Sequence, residues 1–239
     1  MSVTVFTFSY NKPKYVLDAI NSVLTQVHKD LTYYIIENST DNVTRKVIKD
    51  HLAKVNDNRV KYMEIDFIQE LRDSIYVPAM LCDCIFPLAD KKYVYYLSDD
   101  DVIHPECLSS MVRYLDECPQ FGACYCRGSR DWLRGDKFIK EMEFHFASTF
   151  NGTSNPPIWL DCVIDAGQVL QRKSILEKMI AREKTLHLFD IRRHEATHHS
   201  DGLFLNKLAK YTTIQPCPYG EDKCLMTHRY TEVSTWTKN

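Results

Sequence analysis

Three consecutive aspartates, Asp99, Asp100 and Asp101, are the clearest candidates for a binding or catalytic site in this 239-residue chain. Adjacent carboxylates repel one another by roughly 1 to 4 kcal/mol per close pair, depending on the effective dielectric constant. A divalent cation relieves this repulsion, and Mg²⁺ or Mn²⁺ binds carboxylates together with substrate phosphates. The run therefore predicts a site for a cation and a phosphorylated ligand. The alternative is that one of these aspartates only caps the helix that begins near Pro105.

The elements that must position this run alternate between strands and helices. Residues 3–8, 31–36, 60–65 and 93–97 are rich in β-branched and aromatic side chains, as strands are, and the segments between them carry apolar residues at helical spacing. This alternation predicts an α/β fold with a mostly parallel central sheet and helices on both faces. Ligands of such sheets bind beyond the carboxyl ends of the strands, where the aspartate run falls.

The pattern loosens after about residue 120. Residues 121–126 have the character of a strand, and residues 174–181 and 201–210 have the apolar spacing of helices. The polar and aromatic stretch 128–157 is not assigned to elements. The tail from Tyr219 is mostly polar and is expected to be mobile.

Composition narrows the classes of function. The 30 basic and 32 acidic residues leave a formal net charge of -2, so the chain lacks the positive field of a nucleic-acid-binding protein. No run approaches the ~20 apolar residues of a membrane span, and the N-terminus resembles a strand rather than a secretory signal, so a cytoplasmic protein is expected. The nine cysteines are expected to be reduced thiols.

Three motifs, each associated with a predicted strand, resemble those of the family 2 glycosyltransferases of the GT-A fold. They are FTFSYNKP at 6–13, IIENSTD at 35–41 and YYLSDDD at 95–101. The resemblance is nearest to the small soluble spore-coat polysaccharide type and spans most of the chain. It implies a single Rossmann-like GT-A domain, in which residues 1–118 bind a nucleoside-diphosphate sugar and a smaller C-terminal part, 119–239, binds a carbohydrate or glycoconjugate acceptor.

The resemblance also implies which residues bind the nucleotide. Phe8, Tyr10 and Asn11 belong to the first motif, and the Tyr10 ring would stack on the base, which adds about 0.5 to 1.5 kcal/mol beyond burial. Glu37, where the family usually has aspartate, would accept the imide N–H of uracil or thymine, so UDP or dTDP is expected. Arg72 would replace an arginine that the family carries upstream of the acidic motif, if the loop is shifted.

The same resemblance implies the cation ligands and the catalytic base. Asp99 and Asp100 would approach the ribose and a Mn²⁺ or Mg²⁺ ion, with Asp101 beside them as a third metal ligand. Inverting transfer needs a general base that removes a proton from the acceptor hydroxyl, and Asp201 lies in a segment resembling the one that carries this aspartate. The alternative is that Asp201 only caps a C-terminal helix.

Three further residues are predicted on the acceptor side. Asp165 lies in a segment that resembles the acceptor lining of the family, and an ordinary turn aspartate is an equally good interpretation. His228 and Arg229 lie in a late segment resembling one that closes over the diphosphate. The alternative for this pair is a solvated tail.

Three other functions compete with this hypothesis. Residues 194–198 read His-Glu-Ala-Thr-His, the pattern of zinc metallopeptidases, but their flanks are too polar for a buried catalytic helix. A metal-dependent nucleotidyltransferase on a similar fold would need no acceptor base, and a sugar-nucleotide-binding protein would need no turnover. The candidate base Asp201 favours the transferase over both, and the chain lacks the Gly-rich, Lys-containing phosphate loop that would favour the nucleotidyltransferase.

Overall fold

Apolar strands and amphipathic helices form where the sequence predicts most of them. The computed structural model describes residues 2–134, 137–144, 164–184, 188–189, 193–220 and 223–230, with the side chains at 132–134, 137–144 and 193–199 left out. The helices in these ranges are α1 (Val16–Leu24), α2 (Asn42–Val55), α3 (Gln69–Ser74), α4 (Val77–Ile85), α5 (Cys107–Glu117), α6 (Lys173–Glu183) and α7 (Arg193–Ala209). The strands are β1 (Val3–Ser9), β2 (Leu31–Glu37), β3 (Val60–Glu64), β4 (Tyr93–Ser98), β5 (Val102–Ile103), β6 (Ala123–Tyr125), β7 (Gly128–Arg134), β8 (Lys137–Phe144), β9 (Val169–Arg172), β10 (Ile214–Pro216) and β11 (Met226–Tyr230).

The central sheet has seven strands in the order β10-β6-β9-β4-β1-β2-β3. Strands β4, β1, β2 and β3 pair in parallel, while β9 runs antiparallel to both β4 and β6. The predicted α/β class with a mostly parallel sheet is therefore confirmed. No helix in the described ranges combines the length and the apolar character needed to cross a bilayer.

Helices cover both faces of this sheet, which explains why β1 and β4 are almost continuously apolar. Helices α1, α2 and α5 pack on one face, and α4, α6 and α7 pack on the other. Full burial of a Leu, Ile or Phe side chain contributes about 1.5 to 3 kcal/mol, so the two cores hold the strand ends in fixed positions. Representative buried side chains are Ile20, Ile48 and Leu108 on the first face and Leu81, Leu176 and Phe204 on the second.

A second sheet, in the order β5-β11-β7-β8, was not predicted. Strands β7 and β8 form an antiparallel pair in the first part of the unassigned stretch, and residues 145–157 lie outside the described ranges. The expectation of a mobile tail is wrong for 226–230, because these residues form β11 between β5 and β7. Since β5 directly follows the aspartate run, the second sheet is anchored next to that run.

Candidate functional site

Three loops converge where β4, β1 and β2 end. The strands are neighbours in parallel register, with Phe8 opposite Ser98 and Ser9 opposite Glu37. The aspartate run after β4, the turn after β1 and the end of β2 therefore meet at one edge of the sheet, which we call the carboxyl edge. The antiparallel strand β9 begins at this same edge.

Asp99 and Asp100 are bound by a residue that the sequence analysis missed, Lys12. Its Nζ lies 3.0 Å from Oδ1 of Asp99 and 2.6 Å from Oδ2 of Asp100, and the backbone N–H of Tyr10 donates to Oδ2 of Asp99 at 2.7 Å. Burial raises the pKa of Asp99 to about 6 although Lys12 opposes this rise. Burial alone would lower the pKa of Lys12, but the two carboxylates raise it above its ordinary value. A lysine in the turn after a buried strand was the available signal.

Asp101 faces a different set of partners from the second sheet. Its Oδ1 accepts the backbone N–H of Arg229 at 2.9 Å, and its Oδ2 lies 3.0 Å from Nδ1 of His228. The alternative that this run caps the next helix is wrong, because α5 begins after Glu106 without a side-chain cap. The aspartate run is thus divided: Asp99 and Asp100 pair with Lys12, and Asp101 binds residues of β11.

Asp101, Asp165 and His228 form a compact group of possible cation ligands. One ligand atom from each lies within 4.8 Å of the others, and Nδ1 of His228 is 3.8 Å from Oδ2 of Asp165. Burial alone would lower the pKa of His228, but Asp101 and Asp165 raise it to about 10, so the imidazolium itself balances these carboxylates. Two carboxylates and an imidazole suit Mn²⁺, so these residues fit a divalent cation.

Asp201 lies well inside α7, which begins at Arg193. The alternative that Asp201 only caps a helix is therefore wrong. Its Oδ2 accepts a long hydrogen bond from the backbone N–H of Ala166 at 3.4 Å. Burial raises its pKa to about 7, and the neighbouring carboxylate of Asp165 adds to this rise. A carboxyl group with a pKa near the working pH suits a general base.

Asp165 has two roles in the geometry. Its side chain caps the short 3₁₀ turn before β9, accepting from the backbone N–H of Gly167 at 2.7 Å, and Gln168 completes the capping box. The interpretation as a turn aspartate therefore describes it correctly. The same carboxyl group also neighbours His228 and Asp201. Its contact with hydroxyl groups of the acceptor substrate stays a prediction.

Three residues predicted to bind the nucleotide, Phe8, Tyr10 and Arg72, lie near the end of β1. The Tyr10 side chain is 43% exposed, and the guanidinium carbon of Arg72 lies 4.9 Å from the centre of its ring. Arg72 also donates to the side-chain oxygen of Asn38 at 3.2 Å, so α3 brings this arginine next to the Tyr10 loop, and its role toward nucleotide stays a prediction. Phe8 lies deeper, half-buried against the Tyr96 ring at 6.3 Å.

Glu37 presents a buried acceptor that is not satisfied. Its Oε1 accepts the backbone N–H of Ser39, and Nε of Arg45 lies 3.8 Å from the same oxygen. Its Oε2 has no hydrogen-bond partner within the part of the chain that the structure describes. An unsatisfied buried acceptor costs about 1 to 3 kcal/mol, and a ligand N–H would remove this cost.

Asn11 joins the loops after β1 and β2. Its backbone is left-handed, with φ of 53°, and its N–H donates to Oγ of Ser39 at 2.8 Å. The side-chain amide donates to Thr40 at 2.9 Å and accepts the Thr40 backbone N–H at 3.0 Å. These bonds hold the two loops together, and a direct contact of Asn11 with nucleotide stays a prediction.

Arg229 anchors β11 to the first helix. Its guanidinium donates to Oδ2 of Asp18 at 2.9 Å and to the backbone carbonyl of Asp100, and it lies 5.6 Å from the Tyr15 ring. Its predicted role toward phosphate or acceptor stays a prediction. The side chains of the His-Glu-x-x-His segment, 194–198, lie outside the described residues.

Comparisons with known proteins agree with this architecture. No protein-family model matches the chain. Protein CgeD of Bacillus subtilis (strain 168) is 29% identical over 218 residues, which are 90% of this chain and 47% of that protein.

Two solved structures share the fold. S. aureus TarS 1-349 in complex with UDP-GlcNAc has a TM-score of 0.69 at 17% identity, covering 100% of this chain and 61% of that one. Mannosyltransferase PcManGT from Pyrobaculum calidifontis, in complex with GDP-Man and Mn²⁺, has a TM-score of 0.58 at 13% identity, covering 91% of this chain and 55% of that one. The chain thus spans less than two thirds of each relative, and the predicted GT-A fold is confirmed.

Proposed function

We propose that this chain, which has the GT-A fold, is a divalent-cation-dependent inverting glycosyltransferase. It moves a sugar from a UDP- or dTDP-sugar to a hydroxyl group of a carbohydrate or glycoconjugate acceptor. The observation that carries the proposal is the half-buried carboxyl group of Asp201, which accepts the Ala166 N–H beside the acidic carboxyl edge and has a pKa raised to about 7. The nucleotide sugars bound in the TarS and mannosyltransferase structures, and the Mn²⁺ of the latter, support it.

The nucleoside would bind between the loops after β1 and β2. Tyr10 offers an exposed ring for stacking, and the guanidinium group of Arg72 packs against that ring. The free Oε2 of Glu37 would accept the imide N–H that uracil and thymine share. Adenine has no ring N–H on that edge, so this acceptor favours UDP or dTDP over an adenine nucleotide.

The cation would lie on Asp101, Asp165 and His228 rather than on Asp99 and Asp100, whose oxygens are bound to Lys12. Mn²⁺ suits this ligand set better than Mg²⁺ because it includes an imidazole. His228 must lose its proton to bind metal, so binding should release a proton and weaken at low pH. A cation held there would supply positive charge to balance the negative charge of the departing diphosphate.

Asp201 would act on the acceptor. Its carboxylate takes the proton of the acceptor hydroxyl while the oxygen forms a bond to the anomeric carbon. The bond from that carbon to the diphosphate oxygen breaks, and the electron pair leaves with the nucleoside diphosphate. The neighbouring Asp165 carboxylate makes Asp201 a stronger base. Neither a nucleotidyltransferase nor a binding protein would need this group.

Release of nucleoside diphosphate from UDP- and dTDP-sugars, with water as a substitute acceptor, tests the proposal. We expect turnover with Mn²⁺, its loss with a chelator, and a decrease of about 10²- to 10⁴-fold in Asp201→Asn with donor affinity retained. Asp50→Asn, on the exposed face of α2, is the matched control and should leave turnover unchanged. Equal turnover in Asp201→Asn and the wild type would remove Asp201 from the mechanism.

A further inference from the structure

Lys12 occupies a position at the carboxyl edge that the proposed function leaves unexplained. Its ammonium group contacts one oxygen of Asp99 and one of Asp100, at 3.0 and 2.6 Å, and its side chain is only 18% exposed. Asp99 and Asp100 are each 4% exposed. The lysine is therefore held between two nearly buried carboxylates.

Charge explains why a cation is needed there. Two adjacent carboxylates with little access to water cannot both stay ionised without a positive partner. Asp101 does not share this partner, because it is paired with His228 on the other side of the run. The edge thus has two positions for positive charge, and Lys12 fills the one between Asp99 and Asp100.

Lys12 also shares the turn after β1 with Tyr10, the residue proposed to stack on the base. The backbone N–H of Tyr10 donates to Asp99, so the turn that carries the exposed Tyr10 ring also brings the ammonium group to the acidic run. A diphosphate that joins a base on Tyr10 to a cation on Asp101 would pass near this ammonium group. An ammonium group has three N–H donors, and two point to Asp99 and Asp100. In the described part of the chain, no protein acceptor is recorded for the third.

We propose that Lys12 is a built-in cation of the donor site. It takes the place of a second divalent ion between Asp99 and Asp100, and it donates its remaining N–H to the diphosphate of the donor. This inference rests on the proposed function, because it assumes a nucleoside-diphosphate ligand. It adds a specific diphosphate-binding residue to that site.

The test is calorimetric titration of UDP and of Mn²⁺ into Lys12→Met. At a Mn²⁺ concentration that just saturates the wild type, UDP should bind the variant about tenfold more weakly or worse, because a charge-assisted bond is lost. Without nucleotide, the variant should bind one more equivalent of Mn²⁺ than the wild type. At much higher Mn²⁺, this second ion should replace the ammonium and restore UDP affinity to within about threefold.

Two control variants separate this role from a structural one. Lys12→Arg keeps the charge and should gain no Mn²⁺ equivalent, and Lys46→Met removes an exposed ion pair on α2 and should behave as the wild type. If Lys12→Met does not fold, Lys12→Gln is measured instead, since it keeps a donor without the charge. UDP affinity equal to that of the wild type, or a loss that high Mn²⁺ does not reverse, would overturn the inference.

The result also distinguishes this inference from the proposed function. If the wild type binds neither UDP nor dTDP in the presence of Mn²⁺, the proposed function and the role of Lys12 are both wrong. If the wild type binds one of them and the Lys12 variants bind it equally well, only the built-in cation is wrong.

Discussion

At the residue scale, the proposed chemistry depends on how one carboxyl group, Asp201, ionises. Burial and the carboxylate of Asp165 raise its pKa to about 7, so both the acid and the base form are accessible near neutral pH. The motif around Asp201 predicted this residue. Its position inside α7 was not predictable, because the polar residues 193–199 show no apolar periodicity.

The pH dependence of turnover follows from this pKa. Since only the ionised form accepts a proton, kcat/KM for donor turnover should rise tenfold per pH unit below about 7 and then level off. Nucleoside diphosphate release, measured across this range at saturating Mn²⁺, gives the profile. An acidic limb centred near the ordinary aspartate pKa of about 4 would mean that the base is a different group or a solvated one.

Ionisation of Asp201 should destabilise the folded protein, whereas ionisation of an ion-paired carboxylate stabilises it. The stability of Asp201→Asn relative to the wild type should therefore depend on pH. The folded-state pKa is about 7 and the unfolded one about 3.9, so the wild type loses stability as pH rises between these values. Asparagine avoids this loss. The variant should therefore be more stable than the wild type by about 1 to 2 kcal/mol at pH 8, and the gain should shrink toward pH 4.

Thermal unfolding of both proteins at several pH values measures this difference. The expected stability gain is smaller than the full pKa difference would give, because Asp201 is partly accessible to solvent. A variant that is less stable than the wild type at pH 8 would show that the ionised carboxylate stabilises the fold rather than weakening it.

At the element scale, the strands near the site differ in how strongly the sequence pattern predicts them. Strands β1, β2 and β4 are buried runs, and the alternation with helices predicts their parallel order. Strand β11, with the sequence MTHRY, is largely polar, and β5 has two residues, so neither gives a strand signal. For this reason the second sheet, which delivers His228, was not predicted.

Asp101 should be the link that fastens β11 to the central sheet. Asp101→Ala removes the acceptor of the Arg229 backbone N–H and the partner of the His228 imidazolium. Loss of one partner from a buried pair costs about 3 to 5 kcal/mol, so chemical denaturation should show a decrease of that order. Hydrogen exchange should accelerate in β11.

Asp18→Ala is the matched control, because Asp18 pairs with the side chain of Arg229 but is 59% exposed. An exposed ion pair contributes about 0 to 1 kcal/mol, so this variant should be nearly as stable as the wild type. Equal losses in the two variants would mean that Asp101 does not anchor the strand.

At the scale of the whole molecule, the small net charge of -2 conceals a strongly acidic edge. Asp99, Asp100, Asp101, Asp165 and Asp201 gather there, and their described cationic neighbours are chiefly Lys12 and His228. A nucleoside diphosphate would be repelled from this edge without a divalent cation. Cation and donor should therefore bind cooperatively. The fold and the acidic run follow from sequence, whereas this gathering of carboxylates from β4, α7 and the turn before β9 needs the tertiary structure.

Thermal unfolding of the wild type with UDP, with Mn²⁺ and with both measures whether this edge binds a donor and a cation together. At about 100 times the dissociation constant, both ligands together should raise the melting temperature by about 5 to 10 °C, well beyond either alone. Asp165→Asn, which keeps a capping side chain but lacks the carboxylate, should lose most of the joint gain, while Asp50→Asn should keep it. If UDP and dTDP produced no shift, or the same shift with Mn²⁺ as with a chelator, this edge would not be a cation-dependent donor site.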